Sequence, residues 1–334
     1  MLLFNLDPDW VHQDREEALG AATTLEQAIC GIGYKTTLIP VTSSDLDFAL
    51  SGYEPLDHIV FNWCEGLPGV PHSEWLVAEY LERRGFIFTG ASADNLALAQ
   101  DKCRVKHLLQ RSGIPTPYWQ THTVASSVPW GRFPAIVKPS REHCSEGIDR
   151  NAVCMTEAEL KSRINYVLER YHQPALVEDF IDGREFHVSL WGNGAIEVLP
   201  PVEMEFSMFD DQHDRICSYE AKFVPGSVPY QNIRTILPAP LSKEEFRSLS
   251  QISISAYAVT GCRDYARIDI RMKDGIFYVI DINPNSDISP DTSTILASDY
   301  LGYSYGEFGG RIISLAAHRH PIFGNRPRPT LVND

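Results

Sequence analysis

No apolar stretch in the sequence approaches the roughly 18 residues that span a bilayer, and no basic segment precedes the short apolar run Leu2-Leu-Phe4. Neither a membrane span nor a secretory leader is expected. Paired cysteines are also missing. The seven cysteines, at 30, 64, 103, 144, 154, 217 and 262, are odd in number and none has CxxC spacing. Their spacing suggests neither a disulfide framework nor a zinc site. The expectation is reduced, mostly buried thiols in a cytoplasmic protein. Among eleven histidines there is no HxxxH, and His318-Arg-His320 is expected as a solvated helix end. No GxGxxG follows the first strand, which disfavours a dinucleotide-dependent dehydrogenase. Positive charge is in deficit: Lys and Arg number 29 against 44 Asp and Glu, a net charge of −15. Such a chain has no electrostatic footprint for nucleic acid or an anionic membrane. A free polyphosphate would be repelled unless lysines gather at one place.

What remains is an ordinary globular composition, 43% hydrophobic and 22% charged over 334 residues. The length gives a prior of about two to three domains. Leu2–Leu6, Thr36–Val41 and His58–Asn62 read as short buried strands. Helices are expected at Glu17–Ile29, from Ala18, Ala21, Ala22, Leu25, Ala28 and Ile29, and at Ser73–Arg84, stopped by Gly85. That alternation predicts an open, mostly parallel α/β unit. After a helix at 101–112, Pro115 and Pro117 give an extended linker. A small α+β unit follows, with strands Ala135–Lys138, Ala175–Phe180 and Glu185–Trp191 and a helix Glu157–Arg170. Further helices are expected at 242–259, 290–300 and 307–317. No repeat or low-complexity segment is found.

The hairpin Tyr265–Asn283 carries the most chemistry. Side chains alternate faces along a strand, so Arg267 and Asp269 share one face, as do Asp281 and Asn283. A three-residue Lys273-Asp-Gly275 loop would pair Met272 with Ile276 and Arg267 with Asp281, bringing all four onto one face. A two-residue loop would shift the register by one and part them. Two carboxylates and an amide oxygen suit a hard cation such as Mg²⁺. Arg267 suits a phosphate or a developing anion. The competing reading is a solvated sheet face with ordinary salt bridges; it is weakened by the solid Ile/Val row opposite. Lys138 leaves the apolar run Ala135-Ile-Val137 where it can meet a phosphate, under the loop His143-Cys-Ser-Glu-Gly147. Alone, such a lysine more often marks only a strand end.

Together these segments resemble the ATP-grasp superfamily, within its D-alanine–D-alanine ligase-like branch. They include Thr89-Gly-Ala-Ser92, Gln100-Asp-Lys102 with Lys106, Gly113-Ile-Pro-Thr-Pro117, Ile136-Val-Lys-Pro-Ser-Arg-Glu142 and Leu176-Val-Glu-Asp-Phe-Ile-Asp-Gly-Arg-Glu-Phe186. They continue through Tyr219-Glu-Ala-Lys222, Gly261-Cys-Arg-Asp-Tyr-Ala-Arg-Ile-Asp269 and Ile280-Asp-Ile-Asn-Pro-Asn285. The resemblance implies a three-domain ATP-grasp architecture of α/β and α+β class. Its divisions would be an N-terminal α/β domain over 1–100, a central subdomain over 101–190 and a C-terminal subdomain with the metal site over 191–334. ATP would lie between the last two. Glu178, Asp179, Phe180 and Ile181 would meet adenine and Glu185 the ribose. Lys102, Lys138 and Lys222 would hold phosphates. Asp269, Asp281 and Asn283 would bind two Mg²⁺ ions, with Mn²⁺ able to replace them. Arg267 would stabilise the transferred phosphoryl group. The implied reaction joins a carboxylate to an amine through an acylphosphate.

The departures lie where D-alanine would bind. The family's Gly-Gly-x-Ser is absent, leaving Glu16 or Asp14 to meet an ammonium. The lid keeps Ser145 but has Cys144 in place of a hydroxyl; Phe223 replaces a tyrosine after Lys222. Ser286-Asp287 replaces Pro-Gly, so Asp287 would offer its N–H to the oxyanion while losing glycine's freedom. Ser289-Pro290-Asp291 reads as a helix start whose N–H groups, with Thr292 and Ser293, would hold a carboxylate. A plain cap is the equal alternative. The favoured expectation is therefore ligase chemistry on two small amino-acid-type substrates other than D-alanine, with compatibility for a homodimer. The excess acid at Glu146, Asp287 and Asp291 points to an ammonium-bearing substrate. Alternatives are a genuine D-alanine–D-alanine ligase, a non-catalytic ATP-binding regulatory module, and a kinase-like variant that stops at a phosphorylated product.

Overall fold

The computed structural model describes residues 1–125 and 130–325. The short apolar runs of the first ninety residues form β1 (Leu2–Asn5), β2 (Leu38–Val41), β3 (Ile59–Trp63) and β4 (Ile87–Phe88), interleaved with α1 (His12–Gly31), α2 (Leu46–Ala49) and α3 (Glu74–Arg83). The strands pair in parallel in the order β2-β1-β3-β4. Leu3, Ile39 and Val60 pack on one face with Val77 and Leu81 of α3. Leu2, Phe4 and Phe61 pack on the other with Leu25 and Ile29 of α1. Burial on both faces explains why these strands read as continuous apolar runs. Helix α1 starts five residues before the expected Glu17, because its first turns are exposed and carry no apolar periodicity.

Helices α4 (Ala93–Ala99) and α5 (Lys102–Arg111) lead to an antiparallel sheet of β5 (Trp119–His122), β6 (Ala135–Pro139), β7 (Val153–Cys154) and β8 (Ala175–Asp179), in the order β5-β8-β6-β7. Helix α6 (Glu157–Tyr171), capped by Thr156, lays Leu160, Ile164 and Val167 against Ala135, Val137 and Val177. The opposite strand face, with Ile136, Lys138 and Glu178, is left to the cleft.

A third sheet is built from β9 (Arg184–Trp191), β10 (Glu197–Val198), β11 (Val202–Glu205), β12 (Arg234–Ile236), β13 (Tyr265–Lys273) and β14 (Ile276–Pro284). Its order is β12-β11-β9-β13-β14, with β10 also on β9. The short helices α7 (Tyr219–Phe223) and α8 (Val228–Asn232) lie between β11 and β12, and α9 (Lys243–Thr260) packs beneath the sheet. Phe186, Val188, Ile268, Ile270 and Ile282 meet Leu249 and Tyr257 of α9 there, together with Val105 and Leu109 of α5. Thus α5 and β9 share the core of the third sheet.

The hairpin register differs from the three-residue-loop expectation. Lys273 pairs with Ile276 across a two-residue Asp274-Gly275 turn, both with positive φ (51° and 76°), as a primed turn requires. A bulge beside Asp269 then leaves Ile280 as an extra residue. The bulge shifts the register by one more residue in the same direction, so the pairing ends two residues from the expected one, with Asp269 opposite Asp281 and Arg267 opposite Asn283 in place of Asp281, while the face parity is restored. All four polar groups still share one face.

The chain ends with α10 (Ser293–Tyr300) and α11 (Tyr305–Ala317). Helix α10 begins later than the expected Ser289-Pro290 start. The Asp287 carboxylate accepts from the N–H and hydroxyl of Ser289 at 2.8 and 2.7 Å, and Thr292 N–H donates to Ser289 C=O at 3.0 Å. This turn uses the cap, so Thr292 precedes the helix instead. Helix α11 returns to α1, with Phe308 and Ile312 against Leu25 and Ile29. At Gly306 an added Cβ would lie 2.3 Å from the Ala28 carbonyl. Gly306→Ala should therefore force the two helices apart and cost about 1–3 kcal/mol, read as a lowered unfolding midpoint in urea.

The expected solvated His318–His320 end is half right. His318 is exposed, but His320 is buried; its Nδ1 accepts from Ile322 and Phe323 N–H, and its Nε2 reaches Pro55 C=O at 3.1 Å. Of the cysteines, only Cys64, Cys154 and Cys262 are buried, while Cys30 and Cys144 are exposed. All seven are free thiols. Among the described residues, no helix is long and apolar enough to cross a membrane.

Candidate active site

The polar faces of the second and third sheets enclose a cleft of about 1280 Å³. That volume exceeds the usual single-ligand pocket and has room for a nucleotide with small substrates. Two strand alternations supply its polar walls: Lys138 with Glu178 from one sheet, and Glu185, His187, Arg267, Asp269, Arg271, Asp281 and Asn283 from the other. The bulged Ile280 adds an apolar contact.

Glu178 is buried and gripped by two lysines, with Oε2 2.7 Å from Lys138 Nζ and Oε1 against Lys106 Nζ. Burial alone would raise the Glu178 pKa, but the two ammonium groups hold it below the usual carboxylate range. For Lys138, burial opposes the charge and Glu178 outweighs it, leaving the ammonium above its ordinary range. In Lys106 burial wins and the pKa falls. Lys106 also donates to Thr116 Oγ1 at 2.7 Å. Both Glu178 oxygens are thus engaged by lysines, an arrangement that differs from a carboxylate left open for an adenine amine.

Farther in, Arg271 organises the turn between β8 and β9. Its Nε donates to Glu185 Oε2 at 2.7 Å, its Nη1 to Ile181 C=O at 2.9 Å and its Nη2 to Arg215 C=O at 2.6 Å. Its guanidinium lies 4.7 Å from the Phe180 ring centre. Burial opposes ionisation of Glu185, yet Arg271 and His187 depress its pKa strongly. Asp179, one residue outward, pairs with Arg132 at the rim, Nε to Oδ1 at 2.8 Å.

Arg267 forks onto Asp269, Nε to Oδ1 at 2.7 Å and Nη2 to Oδ2 at 3.1 Å. Burial works against both charges, and each raises or lowers the other toward ionisation. Asn283 Nδ2 donates to Asp269 Oδ2 at 3.1 Å, which leaves the Asn283 carbonyl oxygen uncommitted to that contact. Among the described residues, Asp281 Oδ1 accepts only the neighbouring Ile282 N–H, at 3.0 Å. These are hard oxygen donors, two of them anionic, and they fit Mg²⁺ or Mn²⁺. Arg267 supplies the counter-charge on Asp269 in this arrangement.

The lid segments face this wall. Lys102 Nζ donates to the Glu142 carbonyl. Lys222, on α7, has no ion-pair partner among the described residues. Cys144 and Ser145 both have left-handed backbone (φ 53° and 61°), a strained pair of the kind found at ligand clamps. Ser145 Oγ donates to Cys217 C=O at 2.9 Å and ties the loop to the α7 segment. Phe223 is exposed beside Tyr219, ring centres 4.9 Å apart.

The far end is acidic. Glu17, Glu65, Glu74, Asp287 and Asp291 line it, with Thr292 and Ser293 at the start of α10. Glu16 lies elsewhere, exposed and 3.3 Å from His12; the next residue, Glu17, takes the cleft position. Glu74 Oε1 accepts from Asn285 Nδ2 at 2.9 Å, and burial, then Glu65, pushes its carboxyl up to about 8. A carboxyl whose folded pKa is raised binds its proton more tightly in the fold. Its contribution to stability is therefore lost as pH rises from the unfolded value near 4.5 to about 8. Glu74→Gln should flatten the stability–pH slope there by up to about 1.4 kcal/mol per pH unit, measured by urea unfolding at a series of pH values.

Asp14, the alternative to Glu16, does not line the cleft either, whereas the other proposed phosphate, adenine, ribose, metal, lid and substrate residues all do. The sequence reading passed over Arg271, His187 and Glu17, and gave no ion-pair role to Lys106. Arg271 and His187 follow from the same two-residue alternation as Asp269 and Glu185. No sequence signal couples Lys106 to Glu178.

A family model described as "D-ala D-ala ligase C-terminus" matches residues 108–299. The chain is 34% identical over 270 residues to the uncharacterised protein y4sG of Sinorhizobium fredii, covering 80% of this chain and 76% of that one. It is 27% identical over 308 residues to a D-alanine–D-alanine ligase of Pseudothermotoga lettingae, covering 92% and 96%. The fold matches a crystal structure of Bacillus anthracis D-alanine–D-alanine ligase complexed with ATP, at a TM-score of 0.71 and 20% identity over 94% of this chain and 96% of that one. The chain therefore belongs to the D-alanine–D-alanine ligase-like branch of the ATP-grasp superfamily, a family of ATP-dependent carbon–nitrogen ligases.

Proposed function

We propose that this enzyme uses ATP and Mg²⁺ to join two small amino-acid-type substrates, at least one carrying an ammonium, and that the pair is not D-alanine with D-alanine. The observation that carries the reading is a single cleft holding Lys102, Lys138, Lys222 and Arg267, the Asp269-Asp281-Asn283 oxygens, and a carboxylate-lined far end. The lysines and Arg267 balance phosphate charge inside a chain of net charge −15. A substrate carboxylate attacks the γ-phosphorus, its bond to ADP breaks, and an acylphosphate forms. The second substrate's amine then attacks the acyl carbon and inorganic phosphate leaves. Asp269, Asp281 and Asn283 would hold Mg²⁺, which when bound would neutralise charge at the phosphates. Arg267 faces the transferring group, the Cys144–Ser145 loop and α7 exclude water, and Asp287 N–H with the α10 start offers donors to oxyanion and carboxylate.

Two relatives named D-alanine–D-alanine ligase keep that pair as the second reading. Cys144, Phe223 and Asp287 stand against it, since the first two each remove a hydroxyl and Asp287 adds a carboxylate at the substrate end. The test is ATP, Mg²⁺ and a panel of amino acids and amines, including D-alanine, followed by phosphate release and product mass. Release stimulated by D-alanine alone would favour the second reading.

A further inference from the structure

One group of side chains in the cleft takes no part in the bond-making steps above. The Cys217 thiol, a His187 ring nitrogen and a Glu185 carboxylate oxygen lie within 4.8 Å of one another, on β9 and on the segment leading into α7. Glu185 and His187 are buried. Their spacing, 185, 187 and 217, matches no cysteine motif, which is why the sequence suggested no zinc site.

The neighbours already orient these donors. Ser293 Oγ sits 2.8 Å from His187 Nδ1, and Nε2 faces Glu185 Oε1 at 3.7 Å. Arg271 occupies the other oxygen, Oε2. A hydrogen bond on one imidazole nitrogen, with the other turned toward the remaining donors, is the arrangement that prepares histidine to bind a metal. The donor set is one sulfur, one nitrogen and one oxygen. That composition suits a borderline ion such as Zn²⁺ and differs from the all-oxygen set of Asp269, Asp281 and Asn283. Three protein ligands also leave a fourth position open. Tetrahedral zinc holds its donors roughly 3.3–3.8 Å apart; the His187–Glu185 pair at 3.7 Å already lies in that range, and a pair at the 4.8 Å limit would have to close by roughly 1 Å. The positive charge of Arg271 opposes the ion.

We propose that Glu185, His187 and Cys217 form a Zn²⁺ site inside the nucleotide cleft, and that the ion and the nucleotide exclude each other. The exclusion rests on Glu185 being the ribose-binding residue of the proposed ligase; the ion site itself does not. Coordination forms a zinc–sulfur bond, and the thiol proton goes to solvent.

Cobalt(II) is the probe, added to the reduced, metal-free full-length protein. The expected result is one thiolate-to-cobalt charge-transfer band per chain. Zn²⁺ displaces the band, Cys217→Ser abolishes it, and Ser293→Ala weakens cobalt binding about 10- to 100-fold. Cys217→Ala replaces the serine variant if the latter does not fold. In buffered free metal, Mg²⁺-bound ATP should suppress the band. Absence of the band, or a band unchanged by Cys217 substitution, overturns the site. A Cys217-dependent band that persists under saturating Mg²⁺-ATP overturns the exclusion. None of these readings needs turnover, so a failed ligase assay leaves the ion site standing, and a missing band leaves the ligase reading intact.

Discussion

Glu178→Ala is expected to destabilise the protein by about 3–5 kcal/mol, because it strands two ammonium groups in a buried cleft. Lys106 is almost wholly buried and Lys138 nearly so, and in each the Glu178 carboxylate is the adjacent counter-charge. The loss should be measured as a fall in the urea midpoint at unchanged slope. Adding Lys106→Met to Glu178→Ala should recover part of it, since one stranded charge is then gone, and the coupling between the two positions should be of the order of 1–3 kcal/mol. If Glu178 were instead a solvated carboxylate held ready for a ligand, Glu178→Ala would cost no more than about 1 kcal/mol, and the double variant would behave additively.

Asp281→Ala should do the reverse: leave the fold nearly untouched and remove the reaction. The Asp281 carboxylate has no ion-pair partner among the described residues and accepts only the Ile282 N–H. Its loss costs little stability, about 1 kcal/mol or less. It takes away one of two anionic donors for the metal, and phosphate release should drop by about a thousandfold or more. Circular dichroism and unfolding midpoint check the first part, and ATP-dependent phosphate release the second. Arg267 makes a poorer probe, because its removal leaves Asp269 buried without its partner.

Strand alternation made much of this site legible in advance. Period two placed Arg267, Asp269, Asp281 and Asn283 on one face, and the same period carries on to Arg271 and His187. The turn is one residue shorter than expected, and the shared face survives because the bulge at Ile280 adds a second one-residue shift, which restores the parity though not the expected Arg267–Asp281 pair. A bulge leaves no local composition signal, so its compensation could not be read from the residues. Helix starts were legible where burial begins and obscure where it does not. The exposed first turns of α1 carry no periodicity, and the promising cap at Ser289 is consumed by Asp287. Both Glu16 and Glu17 lie on α1, with Glu17 lining the cleft and Glu16 paired with His12. The Glu178–Lys106 pairing joins residues seventy-two positions apart, and the return of α11 to α1 depends on the close approach at Gly306. Such long-range partners follow from packing of whole elements, which no local pattern encodes.

The acidity of the chain is compatible with a polyphosphate because the cations are local. Lys102, Lys138, Lys222 and Arg267 line one cleft, and the acidic end of the same cleft favours an ammonium. The central claim is that both ends act in one reaction. The measurement that bears on it most directly follows ATP, Mg²⁺ and the amino-acid and amine panel by product mass. The account predicts ADP, phosphate and an amide in equal amounts, from a pair that includes an ammonium-bearing substrate. Tight ATP binding without turnover on any pair, or a stable phosphorylated product with no amide, would contradict it.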